Sequence, residues 1–350
     1  MFEDQSALVP IESNPFNAET PMRALTEPIT PTRLFYVRNH FDVPRIDGET
    51  WRLTVDGEVE RRLQLSLKEL QSLPKRTEGV TMECAGNARA RMVPIPKGTP
   101  FGDGAVGTAR FTGTPLSLLL DQVTPLSEAV EVLFVGADKG EAEPGRVEPF
   151  ARSLPLDAAR KSGALLAWAM NDEALLPEHG FPLRLVVPGW YGVASVKWLT
   201  EISILQSPFN GYFQREQYVY VGERGGGAPE GAPVTLMRVR SVIGNPSDGM
   251  SVAIGPVEIA GTAWSGFGSI SKVEVSVDNG RSWTRAELRT ALSPHAATPW
   301  RFTWNPQSPG RYSLMARATD SAGNVQPLDP VWNEHGLGNN AVHSVRITVR

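Results

Sequence analysis

Gly222-Glu223-Arg224-Gly225-Gly226-Gly227-Ala228-Pro229-Glu230-Gly231-Ala232-Pro233 separates two stretches of different texture, and the fold follows from reading each side of it. Glycine-rich chain of this kind gains little from packing and reads as a linker. On its C-terminal side, Val257-Glu258-Ile259-Ala260-Gly261, Val273-Glu274-Val275-Ser276-Val277, Trp300-Arg301-Phe302-Thr303-Trp304 and Tyr312 to Ala318 alternate at period two, as half-buried strands do. Asp278-Asn279-Gly280 between two of them is a hairpin signal, because Asn-Gly tolerates positive φ. Residues 235–350 therefore predict an immunoglobulin-like β-sandwich.

The N-terminal side is mixed. Trp51 to Val59 and Gly79 to Cys84 read as strands, as do Val130 to Gly136 and Leu183 to Val187. Short helices are predicted after the cap Ser66, over Leu116 to Val123, and around Leu156 to Arg160. Residues 31–220 thus predict an α+β domain with long loops, 221–234 the linker, and 1–30, with Pro10, Pro15, Pro21 and Pro28, an extended arm on the surface.

Composition agrees and excludes several functions. Glycine and proline supply 62 of 350 residues, a turn-rich content that argues against a helical bundle. The net charge of -4 gives no reason to expect a nucleic-acid or anionic-membrane partner. No apolar run approaches the ~18 residues of a membrane span, and the N-terminus lacks the features of a secretory signal. The expected location is the cytoplasm, or the periplasm if an export signal has been removed. One cysteine, Cys84, rules out an internal disulfide and any multi-thiolate metal site.

Cys84 lies where a strand gives way to Ala85-Gly86-Asn87-Ala88-Arg89-Ala90-Arg91. Most lone cysteines are inert buried thiols. Here a small-residue loop permits close approach of a ligand, and the neighbouring guanidinium groups are expected to lower the thiol pKa. A thiolate there could serve as nucleophile or as ligand to a soft metal. Arg38 and His40 share one side if their segment is extended. His179, Arg184, Ser195 and Lys197 punctuate an apolar, glycine-rich run whose buried charges call for an anionic ligand. Arginine alone is weak evidence, since 27 of the 34 basic residues are Arg.

These segments occur in the order seen in a known family. Phe16-Asn17-Ala18-Glu19, Val37-Arg38-Asn39-His40, Cys84-Ala85-Gly86-Asn87, His179-Gly180-Phe181-Pro182 and Ser195-Val196-Lys197-Trp198-Leu199 resemble the sulfite oxidase family of molybdenum enzymes. Beyond the linker, Gly261-Thr262-Ala263-Trp264-Ser265-Gly266, Val275 to Gly280, Trp332-Asn333 and Asn339-Asn340 continue the likeness across nearly the whole chain.

The resemblance implies one molybdenum–molybdopterin per chain, with Cys84 as its thiolate ligand. It implies that His40, Asp138, His179, Arg184, Ser195 and Lys197 bind the pterin and its phosphate, that Arg38 and Arg89 are substrate-pocket arginines, and that the C-terminal domain forms a homodimer. The implied reaction is oxygen-atom transfer: sulfite becomes sulfate, and two electrons leave singly to an external acceptor, a cytochrome or oxygen. Neither a cytochrome b5-like domain nor a Cys-x-x-Cys-His motif is present, so no haem is expected.

Three departures bear on the substrate. Trp332-Asn333-Glu334-His335-Gly336 places His335 where animal sulfite oxidases carry a third pocket arginine, which predicts weaker, more pH-dependent anion binding. The family's pocket tyrosine falls at Phe150 and a pocket tryptophan at Phe101. Nitrate reduction at the same centre is the alternative within the superfamily. Outside it, the candidates are a cysteine hydrolase using Cys84 with His40 or His179, and a non-catalytic binding protein acting through its Ig-like half.

Overall fold

In the computed structural model, residues 7–223, 225 and 227–350 are described; the first residues of the arm, and Arg224 and Gly226 of the linker, lie outside the described residues. Two five-stranded sheets build the N-terminal domain. One runs Glu173–Ala174, Leu165–Met170, Val106–Pro115, Arg76–Glu83, with Arg184–Val186 also paired to Leu165–Met170, and all its pairings are antiparallel. The other runs Leu63–Ser66, Arg52–Gly57, Leu199–Leu205, Glu131–Glu143, Arg146–Pro155, with Arg52–Gly57 and Leu199–Leu205 parallel. Three short α-helices, Leu67–Ser72, Leu116–Val123 and Leu156–Lys161, connect them and a fourth, Tyr212–Arg215, follows Leu199–Leu205, so the domain is α+β.

The helices form where local chemistry dictates. Leu67–Ser72 starts from a full capping box: the Glu69 amide donates to Ser66 Oγ at 3.3 Å, and the Ser66 amide donates to Glu69 Oε2 at 2.8 Å. Leu116–Val123 buries Leu116, Leu119, Leu120 and Val123, the i, i+3, i+4, i+7 stripe of an amphipathic helix.

The C-terminal domain is a β-sandwich. Arg240–Asn245, Val257–Trp264, Thr298–Trp304 and Glu287–Leu288 form one sheet; Ser251–Val252, His343–Val349, Gly310–Asp320, Ile270–Ser276 and Thr284–Arg285 form the other. Ile243, Ile259 and Trp300 from the first meet Val273, Leu314, Ala316 and Ile347 from the second in a single core. Alternation sets the inward face: Leu314, Ala316, Ala318 and Asp320 are buried along one strand, and His343, Val345, Ile347 and Val349 along its neighbour. Asn279 and Gly280 both have positive φ, although the chain between the paired positions Val275 and Thr284 is longer than a two-residue turn.

The arm departs from expectation. Val9–Ser13 and Phe16–Glu19 form an antiparallel hairpin, and Asn17, Ala18, Thr20 and Leu25 are buried. Prolines and polar residues suggested a surface strand, but Ala18 bridges Val37 and the Thr20 amide bonds to Gly104 O. The sandwich keeps its own core, yet Val234, Met237, Val242, Trp264, Ala297 and Leu337 join the main hydrophobic cluster of the first domain, so the two domains are packed against each other.

Burying the hairpin strains one carboxyl. Glu19 is 8% exposed, and burial pushes its pKa up to about 7 against the pull of the Gly102 and Gly104 amides. A carboxyl raised in the folded state stabilises fully only below its unfolded value, and that contribution is lost as pH rises through about 7. Unfolding free energy should thus drop by about 3 kcal/mol between pH 4.5 and 8 on this account. Glu19→Gln keeps the acceptor for the Gly102 amide and should abolish that part of the decline. Urea unfolding of both proteins at pH 5 and pH 8 checks this, and parallel pH dependences would refute it.

Candidate active site

Three segments converge on one cavity at the heart of the N-terminal domain. It holds about 640 Å³ of empty space, its open mouth included. Tyr36, Arg38 and His40 line it from an extended segment, as the i, i+2 spacing requires, while Val37 and Asn39 face the arm. The Asn39 amide donates to Asn17 Oδ1 at 2.6 Å and Asn39 Nδ2 to Phe16 O at 2.9 Å, so the hairpin clamps the back of this strip.

Cys84 ends the strand Arg76–Glu83 and faces the cavity. Its amide bonds to Ala105 O at 2.9 Å, and its carbonyl accepts from the Asn87 amide at 2.9 Å, closing the turn that follows. The third segment brings His179, Arg184, Ser195 and Lys197 to the wall. Arg184 donates to His179 O at 3.0 Å, to Met82 Sδ at 3.2 Å and to Ser195 O at 3.3 Å. Lys197 Nζ reaches Asn39 Oδ1 and, at 2.8 Å, Glu178 O, and sits 4.1 Å from the centre of the Trp198 ring. Trp198 holds φ at 50°, a strained conformation for a bulky residue, right at the wall. Asp138 enters beside Gly136, where any Cβ would stand 2.4 Å from Asp138 Oδ1.

Electrostatically the cavity wall is rich in cations, with Arg38, Arg184 and Lys197 alongside the acidic Asp138 and Glu178 among its lining residues. Arg38, Arg184 and Lys197 hydrogen-bond to carbonyl and amide oxygens and a thioether rather than to carboxylates. Burial first, then mutual repulsion among these cations, drives His40 and Lys197 well below their ordinary values and His179 down to about 3. Burial lowers Arg184 to about 10 and raises Asp138 to about 6 against the pull of Lys197. Cys84 differs from expectation. Burial raises its thiol above the usual value, outweighing Arg38, the Gly86 amide and Arg89. Arg91, one of the neighbouring guanidiniums, turns outward to Asp103 at 2.9 Å and takes no part.

Of the expected site residues, Arg38, His40, Cys84, Asp138, Phe150, His179, Arg184, Ser195 and Lys197 line the cavity. Arg89 and His335 do not. Arg89 is nine-tenths buried behind the Cys84 loop, donating to Thr99 O at 2.7 Å and His335 O at 3.0 Å. Gly86, Gly98 and Gly336 crowd its side chain, and a Cβ at any of them would fall within 2.9 Å of it. His335 Nδ1 lies 3.2 Å from Val219 O. Phe101 is wholly buried in the core beside Phe35, Tyr36 and Cys84. Phe150 stacks on His40 with ring centres 4.8 Å apart.

Tyr36, Met82, Trp198 and Tyr218 also line the wall and were not anticipated. Period two from Arg38 would have found Tyr36. Tyr218, whose hydroxyl lies 2.7 Å from His40 Nε2, stands 178 residues from its partner and carries no local signal. His40 thus engages Tyr218, and His179 Nε2 lies 3.1 Å from Thr32 O; among the described residues neither ring hydrogen-bonds to Cys84, the contact a hydrolytic dyad would need.

Residues 40–213 match the oxidoreductase molybdopterin binding domain, and residues 232–350 the Mo-co oxidoreductase dimerisation domain. The sulfite oxidase of Arabidopsis thaliana is 34% identical over 95% of this chain and 91% of its own length. This chain belongs to the sulfite oxidase family of molybdopterin-binding oxidoreductases. The mitochondrial sulfite oxidase of Homo sapiens is 37% identical over 96% of the chain, which spans 64% of that protein's length. The crystal structure of the sulfane dehydrogenase SoxCD from Paracoccus pantotrophus superposes with a TM-score of 0.82 at 29% identity, covering 94% of this chain and 83% of its own.

The cavity fits a family cofactor. Asp138 Oδ1 and Arg184 Nε are buried at its wall with no hydrogen-bond partner, an acceptor and a donor left for a polar ligand. The crowd of cations suits an anionic group, and the single thiol on the same wall suits a soft metal.

Proposed function

We propose that the protein is a molybdenum-dependent oxidoreductase that oxidises sulfite, or a closely similar small oxyanion, and passes electrons to an external acceptor, either a separate protein or oxygen. The observation that carries this reading is the placement of one thiol, Cys84, on the wall of a cavity whose Arg38, Arg184 and Lys197 hydrogen-bond, among the described residues, to carbonyl and amide oxygens and a thioether rather than to carboxylates.

Cys84 would hold the metal, with His40, Asp138, His179, Arg184, Ser195 and Lys197 holding the pterin and its phosphate. The bound cofactor supplies the oxygen-atom transfer and the two-electron redox change. The chain's own residues do the rest. Arg38 offers a fixed positive charge to the entering oxyanion. Asp138 would offer an acceptor to the pterin through its unpaired Oδ1, and Arg184 a donor through its unpaired Nε. Lys197, held to Asn39 and the Glu178 carbonyl, answers the phosphate charge. Phe150 and Trp198 close the walls against water. Arg89, buried behind the Cys84 loop, adds positive charge near Cys84 and His40. Family likeness and residues 232–350 support a homodimer through the C-terminal domain.

Steady-state assays with a one-electron acceptor for sulfite, and with a reduced one-electron donor for nitrate, test the substrate. Sulfite-dependent turnover with no nitrate-dependent reverse activity is the expected result. Turnover of nitrate alone would shift the reading to the nitrate reductase branch, whose Emericella nidulans member is 32% identical over 96% of this chain.

A further inference from the structure

The second domain grips the loop that carries Cys84. Arg240, at the start of the sandwich strand Arg240–Asn245, is 1% exposed. It donates to Glu83 Oε1 at 3.0 Å, to Asp103 Oδ1 at 2.7 Å and to Asn339 O at 3.1 Å. Trp264, from the neighbouring sandwich strand, donates its indole N–H to Glu83 Oε2 at 2.9 Å. Asn87 donates to the same carboxylate at 2.9 Å from the far side of the Cys84 turn. Glu83 precedes Cys84 directly, so one carboxylate, with both oxygens hydrogen-bonded, joins both ends of the turn to the second domain.

The turn's backbone is held from the same side. The Gly338 amide donates to Ala85 O at 2.8 Å, Asn339 Nδ2 to Ala88 O at 2.9 Å, and Arg89 Nε to His335 O at 3.0 Å. None of Glu83, Asp103, Arg240 and Trp264 lines the cavity. Buried ion pairs are poor devices for stability alone, since apolar residues of equal volume often do as well. Their value is directional: a carboxylate with three donors fixes the turn in one register, where an apolar contact would let it slide.

We propose that the second domain is a working part of the metal site, and that Glu83, Arg240 and Trp264 are positioning residues that hold the Cys84 thiol at the cavity wall. This rests on the reading of Cys84 as the metal ligand. The sandwich thereby has a role in each protomer that is independent of dimerisation.

Amide hydrogen exchange and molybdenum content of purified enzyme from a cofactor-competent host test it, in wild type, Trp264→Phe and Arg240→Met. Trp264→Phe removes one donor and keeps the aromatic packing. It should speed exchange in residues 83–92 about tenfold, leave the strand Gly310–Asp320 at the wild-type rate, and lower the metal held per chain. Exchange in 83–92 at the wild-type rate, or an equal rise in both segments, would overturn the proposal. Arg240→Met leaves the buried Glu83 carboxylate without its cation and Asp103 with Arg91 but not Arg240, and is expected to compromise folding, so Trp264→Phe decides. Absence of metal from the wild type would strike the function proposed above, while the exchange rates would still decide whether the second domain orders the turn.

Discussion

Cys84→Ser should cut turnover by about 10³-fold and strip most of the metal, because losing the one protein ligand should exceed the 10- to 100-fold effects of outer-sphere changes. The fold should survive, since Cys84 packs as a small buried side chain and its backbone bonds to Ala105 and Asn87 do not involve the sulfur. Circular dichroism and metal analysis of the variant separate these effects. Retention of more than a tenth of the activity would contradict the assignment. A raised thiol pKa without cofactor is consistent with it, because a cation placed against the sulfur supplies the stabilisation that burial removes.

Arg38→Met should lower kcat/KM for the oxyanion by about 100-fold, mostly through KM, as expected for losing a charge-assisted contact in a cavity. Arg38 is only half-buried and hydrogen-bonds to Asn39 O, so little stability should go with it. Arg38→Lys keeps the charge but not the planar fork, and should recover only part of the loss. Substrate kinetics at two ionic strengths check this: the wild type should lose affinity in salt and the Met variant should not.

Much of this was legible in the sequence. Period-two alternation disclosed the sandwich, and it disclosed that Arg38 and His40 share a face, because strand geometry depends only on neighbours. The capping residue Ser66 and the stripe in Leu116–Val123 were readable for the same reason. The arm was not: its prolines describe a local backbone, whereas its burial follows from contacts with Val37 and Gly104 that lie far along the chain. Tyr218 and the Glu83–Arg240 pair, separated by 178 and 157 residues from their partners, were invisible for that reason. Arg89 was found as a charge near Cys84, yet its direction depends on three glycines and two carbonyls from separate loops. Charge alone also misjudged the thiol, since proximity of arginines can be read from a sequence and the burial that outweighs them cannot.

The central claim is that this cavity binds a molybdenum cofactor through one thiolate and a cluster of cations. Molybdenum analysis of the purified protein, paired with fluorescence of the released pterin, tests it most directly. The account predicts one metal and one pterin per chain in the wild type, with the metal largely lost and the pterin retained in Cys84→Ser. Wild-type protein from a cofactor-competent host that carried neither would contradict it.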